Sequence, residues 1–312
     1  MADVGIEARD LRIWGDFKAK PHFYAPLKRL IGPSTKVFTM GSCFALEVRR
    51  ALQRRNVNVY PDYLSVKYVL GHSQFSSFTE RCEFQPHYDT FVIKQEFETA
   101  LGLWKNRREC LVKYSGTPTN KQLGWDTVYQ DPYRKVTWAR SAELLMHVVD
   151  QVDRVVTEGL RQADVIVLTL GLTEVWQSTS TGKYFCQQPR HPGLARFQAS
   201  TFLENYNNMR ATLDMLFDRY PDKQVILSVS PVPLGSTYRD MDVGTANTES
   251  KSTLRAVAGQ ICREYSSNVT YFPSYEMATC MDIPVFQEDH RHVLPEFADR
   301  VVAGFLSCFA KE

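Results

Sequence analysis

The chain has 312 residues, 44% hydrophobic and 23% charged, which excludes a fibrous or disordered protein. Its 37 basic and 35 acidic residues leave a net charge of +2, so no global pull towards nucleic acid or an anionic membrane exists. The seven cysteines (43, 82, 110, 186, 262, 280 and 308) are odd in number and contain no C-x-x-C pair, which argues against a disulfide framework and a zinc site.

Acidic residues stand at the N-terminus where a signal peptide needs a basic start, and no apolar run reaches the length of a membrane span. A cytoplasmic location with reduced thiols is expected. Neither a cofactor nor a metal is expected, and the oligomeric state is open.

In chain order, KVFTM at 36–40 reads as a short buried strand. Gly41 and Ser42 follow, then a helical period with Phe44, Val48 and Leu52 on one face. Asn56 to Tyr60 predicts a second strand. Residues 73–139 break the rhythm. They hold Trp104, Trp125 and Trp138 and read as an irregular insertion packed over the sheet end. The apolar face of Leu144, Leu145, Val148, Val152, Val155 and Leu160 predicts a helix over 140–161.

A strand at 165–170 ends at Gly171. A helix at 200–219 is broken by Pro221-Asp222 and followed by a strand from Val225 to Val229. A helix at 250–265 leads to the strand Val269 to Phe272, and the last helix starts near Pro295, a residue suited to a first turn. Strands alternating with helices of this length predict βαβ units, a parallel sheet and one α/β domain over 1–312.

Ligands of open parallel sheets bind beyond the carboxyl ends of the strands. Four stretches lie there: 41–45, 171–176, 230–233 and 288–292. Ser42 sits in a strand–turn–helix junction, where Gly41 allows the turn and the new helix offers unpaired N–H groups. A serine there can attack a carbonyl; it is equally a preferred helix cap. A serine nucleophile needs a base and the base an orienting carboxylate. Asp289 and His292, three residues apart, supply both on one loop, with His290 a competitor for the base.

The segments Gly41-Ser42-Cys43-Phe44-Ala45, Gly171-Leu172-Thr173-Glu174 with Trp176, Ser250-Lys251-Ser252 with Leu254-Arg255, Tyr271-Phe272-Pro273-Ser274-Tyr275-Glu276 and Asp289-x-x-His292 resemble, in order, the GSCFA family. That family is similar to the SGNH hydrolases. The resemblance implies a flavodoxin-like three-layer α/β/α sandwich with Ser42 as nucleophile, His292 as general base and Asp289 as its partner. It also implies the Ser42 backbone N–H as an oxyanion donor.

SGNH enzymes carry Gly-x-Asn-Asp in the third block, where this chain has Gly171-Leu172-Thr173-Glu174. Thr173 could replace the Asn donor at shorter reach. Glu174 reads as a ligand for substrate or a structural Arg, or as a helix-start acid, and Trp176 as core or as a platform for a sugar.

Cys43 reads as a small packed hydrophobe, with a thiol nucleophile as the alternative. The pairs Arg49-Arg50, Arg54-Arg55 and Arg107-Arg108 read as solvated faces, and Arg190-His191-Pro192-Gly193 as a loop that could line the site. The expected chemistry is hydrolysis or transfer of an acyl group on an acylated carbohydrate or other ester, through an acyl-Ser42 intermediate. A glycan-binding or assembly module with little catalysis is the rival. No nucleic-acid partner is expected.

Overall fold

The computed structural model describes Trp14 and residues 28–66, 86–104, 112–115, 124, 126–134, 137–189 and 193–311. Its centre is a five-stranded parallel sheet. Chain order gives β1 (Lys36–Gly41), β2 (Asn58–Tyr60), β6 (Val165–Leu170), β10 (Gln224–Val229) and β11 (Val269–Tyr271), arranged in space as β2-β1-β6-β10-β11. This is the flavodoxin-like order 2-1-3-4-5 when the five strands are counted alone.

The central strands are apolar throughout because both their faces are covered. Phe38 and Met40 of β1, with Ile166, Leu168 and Leu170 of β6, enter one cluster. That cluster is completed by helices α2 (Thr90–Ala100), α3 (Ala142–Gln162), α4 (Phe202–Arg219) and α5 (Val243–Glu264). Val37, Val165 and Val167 point the other way, to α1 (Cys43–Gln53), α6 (Ser274–Cys280) and α7 (Pro295–Phe309). Alternate residues of each strand thus build two cores, and the expected three-layer α/β/α sandwich results.

Two smaller antiparallel sheets complete the described residues. One joins β3 (Val112–Ser115), β4 (Thr127–Gln130) and β5 (Trp138–Ala139); the other joins β7 (Glu174–Ser178), β8 (Tyr184–Phe185) and β9 (Ala195–Ala199).

Three elements differ from their sequence reading. Glu174 begins a strand, not a helix. Helix α5 starts at Val243, seven residues earlier than predicted. Asp242 caps it by accepting from the Thr245 N–H at 2.9 Å, and its polar first turns carry no apolar period. The third is α2, within the region read as irregular. It packs against α3 and α4, and Phe97 meets Phe38 edge to face at 6.4 Å. Its first two turns are buried nearly all round, so no amphipathic stripe marks it in the sequence.

Arg107, Arg108, Trp125, Arg190, His191 and Pro192 lie outside the described residues, as does the Cys43 side chain.

Candidate active site

The junction after β1 is shaped by Gly41. Its φ of +136° is open to glycine, and a Cβ there would stand 2.3 Å from the Thr169 carbonyl oxygen. Ser42 follows at the N-cap position of α1, yet its hydroxyl makes no capping bond. The residue is 3% exposed, and Oγ has no hydrogen-bond partner among the described residues. A buried hydroxyl without a partner costs free energy, so a cap alone does not account for it.

Ser42 opens onto a cavity of about 580 Å³ at the carboxyl ends of the strands. Tyr88 and Asp89 form one wall, ahead of α2. Gly171, Leu172, Glu174 and Trp176 come from the end of β6 and from β7, and Phe185 to Gln188 from β8 and beyond. The stretch from Ser230 to Tyr238, after β10, closes another side, and Arg291 reaches in from the last loop.

Buried Glu174 holds that post-β10 stretch. Its carboxylate accepts from the Thr237 hydroxyl and from the Tyr238 N–H at 3.3 Å, and it binds no Arg there. Trp176 lies 4.9 Å from the Tyr238 ring and 5.3 Å from Phe197, an aromatic trio beside the cavity.

Asp289 and His292 are paired through Oδ2 and Nδ1 on an exposed loop, with side chains 47% and 62% exposed. Asp289 also accepts the N–H groups of Arg291 at 3.1 Å and His292 at 3.0 Å. The His292 ring and these amides lower its pKa to about 2. Of the two histidines on the loop, His292 is the one paired with Asp289; His290 takes a left-handed φ of 54°. The pair does not itself line the cavity, but Arg291 between its members does. The structure thus holds the Asp289–His292 link and not a bond from His292 to Ser42.

The N–H expected as an oxyanion donor, that of Ser42, is engaged, as are the amides of 171–173. Ser42 N–H donates to the Thr169 carbonyl at 3.1 Å, extending the β1–β6 ladder. Gly171 and Leu172 both donate to the Tyr88 carbonyl, at 2.8 and 3.0 Å. The Thr173 N–H donates to Ser250 Oγ at 3.0 Å, and its carbonyl accepts from Ser200; Thr173 does not line the cavity. Lys251, buried, donates to the Gly171 carbonyl at 2.6 Å. The Ser250-Lys251 motif therefore braces the 171–173 turn. Arg255 and Glu276, from the other two motifs, form an ion pair, with the guanidinium 4.1 Å over the Tyr271 ring.

Asp89 escaped the sequence reading. It is 3% exposed and caps α2, with Oδ1 accepting from Phe91 at 3.0 Å and Val92 at 2.9 Å. Burial pushes its pKa up to about 7, against the opposing pull of these two amides and of His87. The sequence held the signal for a helix start there, an Asp just before an apolar run, but not for its neighbours in space.

His87 next to it is buried, with Nε2 3.0 Å from Glu96 Oε2, and Glu96 in turn pairs with buried Arg134. Burial would raise the Glu96 pKa, but the Arg134 charge and the His87 hydrogen bond outweigh it, so the carboxylate titrates well below its usual range.

Among the described residues no group of acids, histidines and cysteines is placed to hold a metal ion, and no helix is long and apolar enough to cross a membrane. A flavodoxin-like sheet with a serine at the end of its first strand and an Asp–His pair before its last helix defines the class of protein: an α/β sandwich with a serine-centred candidate site. The chain belongs to the GSCFA family, whose profile matches residues 36–305. No curated protein matches the sequence. A solved structure from Streptococcus pneumonia, named for platelet activating factor, is similar over 94% of this chain and 89% of its own, at 9% identity and a TM-score of 0.38.

Proposed function

We propose that this GSCFA protein is a serine-dependent esterase or O-acyltransferase acting on acylated carbohydrate. The observation that carries the reading is Ser42 itself: a buried hydroxyl with no partner, facing a cavity large enough for a sugar ester. The Asp289–His292 pair on the loop that also sends Arg291 into that cavity supports it.

In the first step His292 takes the Ser42 proton as Oγ bonds to the acyl carbon. The bond between the acyl carbon and the sugar oxygen breaks, and the sugar leaves as its alcohol, its oxygen taking that proton. In the second step His292 takes a proton from water or an acceptor hydroxyl. That oxygen bonds to the acyl carbon, and Ser42 Oγ leaves and is reprotonated. Asp289 keeps the imidazole oriented and balances its transient charge. The pairing of Ser42 with His292 requires a movement of the exposed loop, and catalytic hydrogen bonds often close only around substrate. Trp176 and Tyr238 favour a sugar, whose apolar faces stack on aromatic rings.

The engaged N–H groups of 171–173 and the missing Ser42–His292 bond favour a second reading, a glycan-binding module with little turnover. Labelling with a fluorophosphonate followed by peptide mapping decides between them. Stoichiometric labelling at Ser42, lost in His292→Ala, is the expected result. Folded wild-type protein that stays unlabelled while binding acylated glycan would overturn the catalytic reading in favour of the second.

A further inference from the structure

Residues 86–89 are sewn to both sides of the serine turn. His87 N–H donates to the Gly41 carbonyl at 2.9 Å, and the Tyr88 carbonyl takes the Gly171 and Leu172 amides. Asp89, next in the chain, is thereby fixed on the cavity wall that Ser42 also lines. Its Oδ1 is used by the α2 amides. Its Oδ2 has no hydrogen-bond partner among the described residues. The amides that would otherwise steady a developing negative oxygen, at Ser42 and at 171–173, are committed elsewhere.

We propose that Asp89, as a neutral carboxylic acid, donates a hydrogen bond from Oδ2 to the oxyanion formed when Ser42 attacks an ester. This role rests on the acyl-Ser42 reading above. Chemically the step moves no electrons to Asp89: the proton stays on Oδ2 and is shared with the substrate oxygen. A carboxyl kept neutral by an apolar site is a strong donor to an oxyanion.

The groups around Asp89 fit this. His87, two residues earlier in the chain, is paired with Glu96, which pairs in turn with Arg134. Tyr184 of β8 packs on Phe91, two residues along the chain, with ring centroids 4.2 Å apart. Glu174 and Arg291 line the same cavity, and Glu174 is occupied by Thr237 and Tyr238. Burial, the largest influence, keeps Asp89 protonated up to about pH 7.

The test is the rate of fluorophosphonate labelling at Ser42 from pH 5.5 to 9, in wild type, Asp89→Asn and Asp89→Ser. Asparagine keeps both the cap and a donor; serine keeps the cap and withdraws the reach. Wild type should slow as pH rises through about 7. Asp89→Asn should label within ~10-fold of wild type and lose that alkaline fall, and Asp89→Ser should be slower by ~10²-fold or more.

Three results overturn the role while leaving the acyl-ester reading intact: Asp89→Asn as slow as Asp89→Ser, which marks a base; Asp89→Ser as fast as wild type; or an alkaline fall that persists in Asp89→Asn. If Asp89→Ser fails to fold, the Asp89→Asn profile decides alone. Wild-type Ser42 that never labels overturns the acyl-ester reading, and this role with it.

Discussion

Gly171 and Tyr88 meet backbone to backbone: the Gly171 amide donates to the Tyr88 carbonyl at 2.8 Å, and a Cβ at 171 would stand 2.6 Å from that same oxygen. Backbone cannot yield as a flexible side chain does. Gly171→Ala should therefore push residues 86–89 off the end of β6 and cost ~1–3 kcal/mol. A lowered unfolding midpoint together with slower labelling at Ser42 is the expected pair of results. An alanine variant with wild-type stability would show that the two segments are not held as described.

Ser42→Ala should separate activity from stability. It removes the proposed nucleophile, so labelling and ester turnover should disappear. It also removes a buried hydroxyl that has no partner, so urea unfolding should be unchanged or favour the variant by up to ~1 kcal/mol. Marked destabilisation would mean that the hydroxyl has a structural role after all.

The Asp289–His292 pair predicts the same separation. Both side chains are largely exposed, so Asp289→Asn should leave the melting temperature nearly unchanged while slowing turnover by ~10³-fold or more. The Asp289 pKa is lowered, so what its ionised form contributes is present above about pH 4 and is lost as pH falls through about 2. Turnover lost through Asp289 protonation should therefore appear only in strong acid. Wild-type turnover in Asp289→Asn would remove the pair from the mechanism.

Asp89 works in the opposite sense. Its folded pKa is raised from 3.8 to about 7, so the folded protein holds a proton that the unfolded chain has released. Its contribution is complete below about pH 4 and fades as pH rises to about 7. Asp89→Asn keeps the cap and abolishes this dependence. It should be more stable than wild type at pH 8, by on the order of 4 kcal/mol at most, with the gap closing by pH 4. Thermal unfolding at both pH values checks this, and a gap independent of pH would contradict it.

Much of this molecule is legible in its residues because the signals are local. The apolar stretch at 165–170 reads as a strand, and it is one, buried along its whole length. The Gly41-Ser42 turn reads as strand, turn and helix, and Gly41 has the left-handed conformation such a turn requires. The Asp289–His292 spacing suits one loop, and the two side chains meet.

What stayed hidden depends on partners distant in the chain. Thr173 looked like a replacement donor through its hydroxyl, but Ser250 and Ser200 hold its backbone from other helices and loops, and it does not line the cavity. The Ser42 amide looked available, but the neighbouring strand takes it at the Thr169 carbonyl. Glu174 was open to several readings until the post-β10 stretch supplied Thr237 and Tyr238. Helix α2 has no polar side to reveal it, and Asp89 at its head acquires its chemistry only from burial.

The bonds that brace the site also set when it can come into being. The Thr173–Ser250 bond joins residues 77 apart, and the Lys251–Gly171 bond joins residues 80 apart. Contacts this distant form late in folding, after helices and neighbouring strands, because long loops must close first. A chain emerging from the ribosome makes Ser42 early, yet its loop histidine and the braces at 250–251 come far later. Ser42 is thus made well before residues 250–292, so under the proposed acyl-ester reading a partly made or partly folded chain would carry the serine without its reactivity.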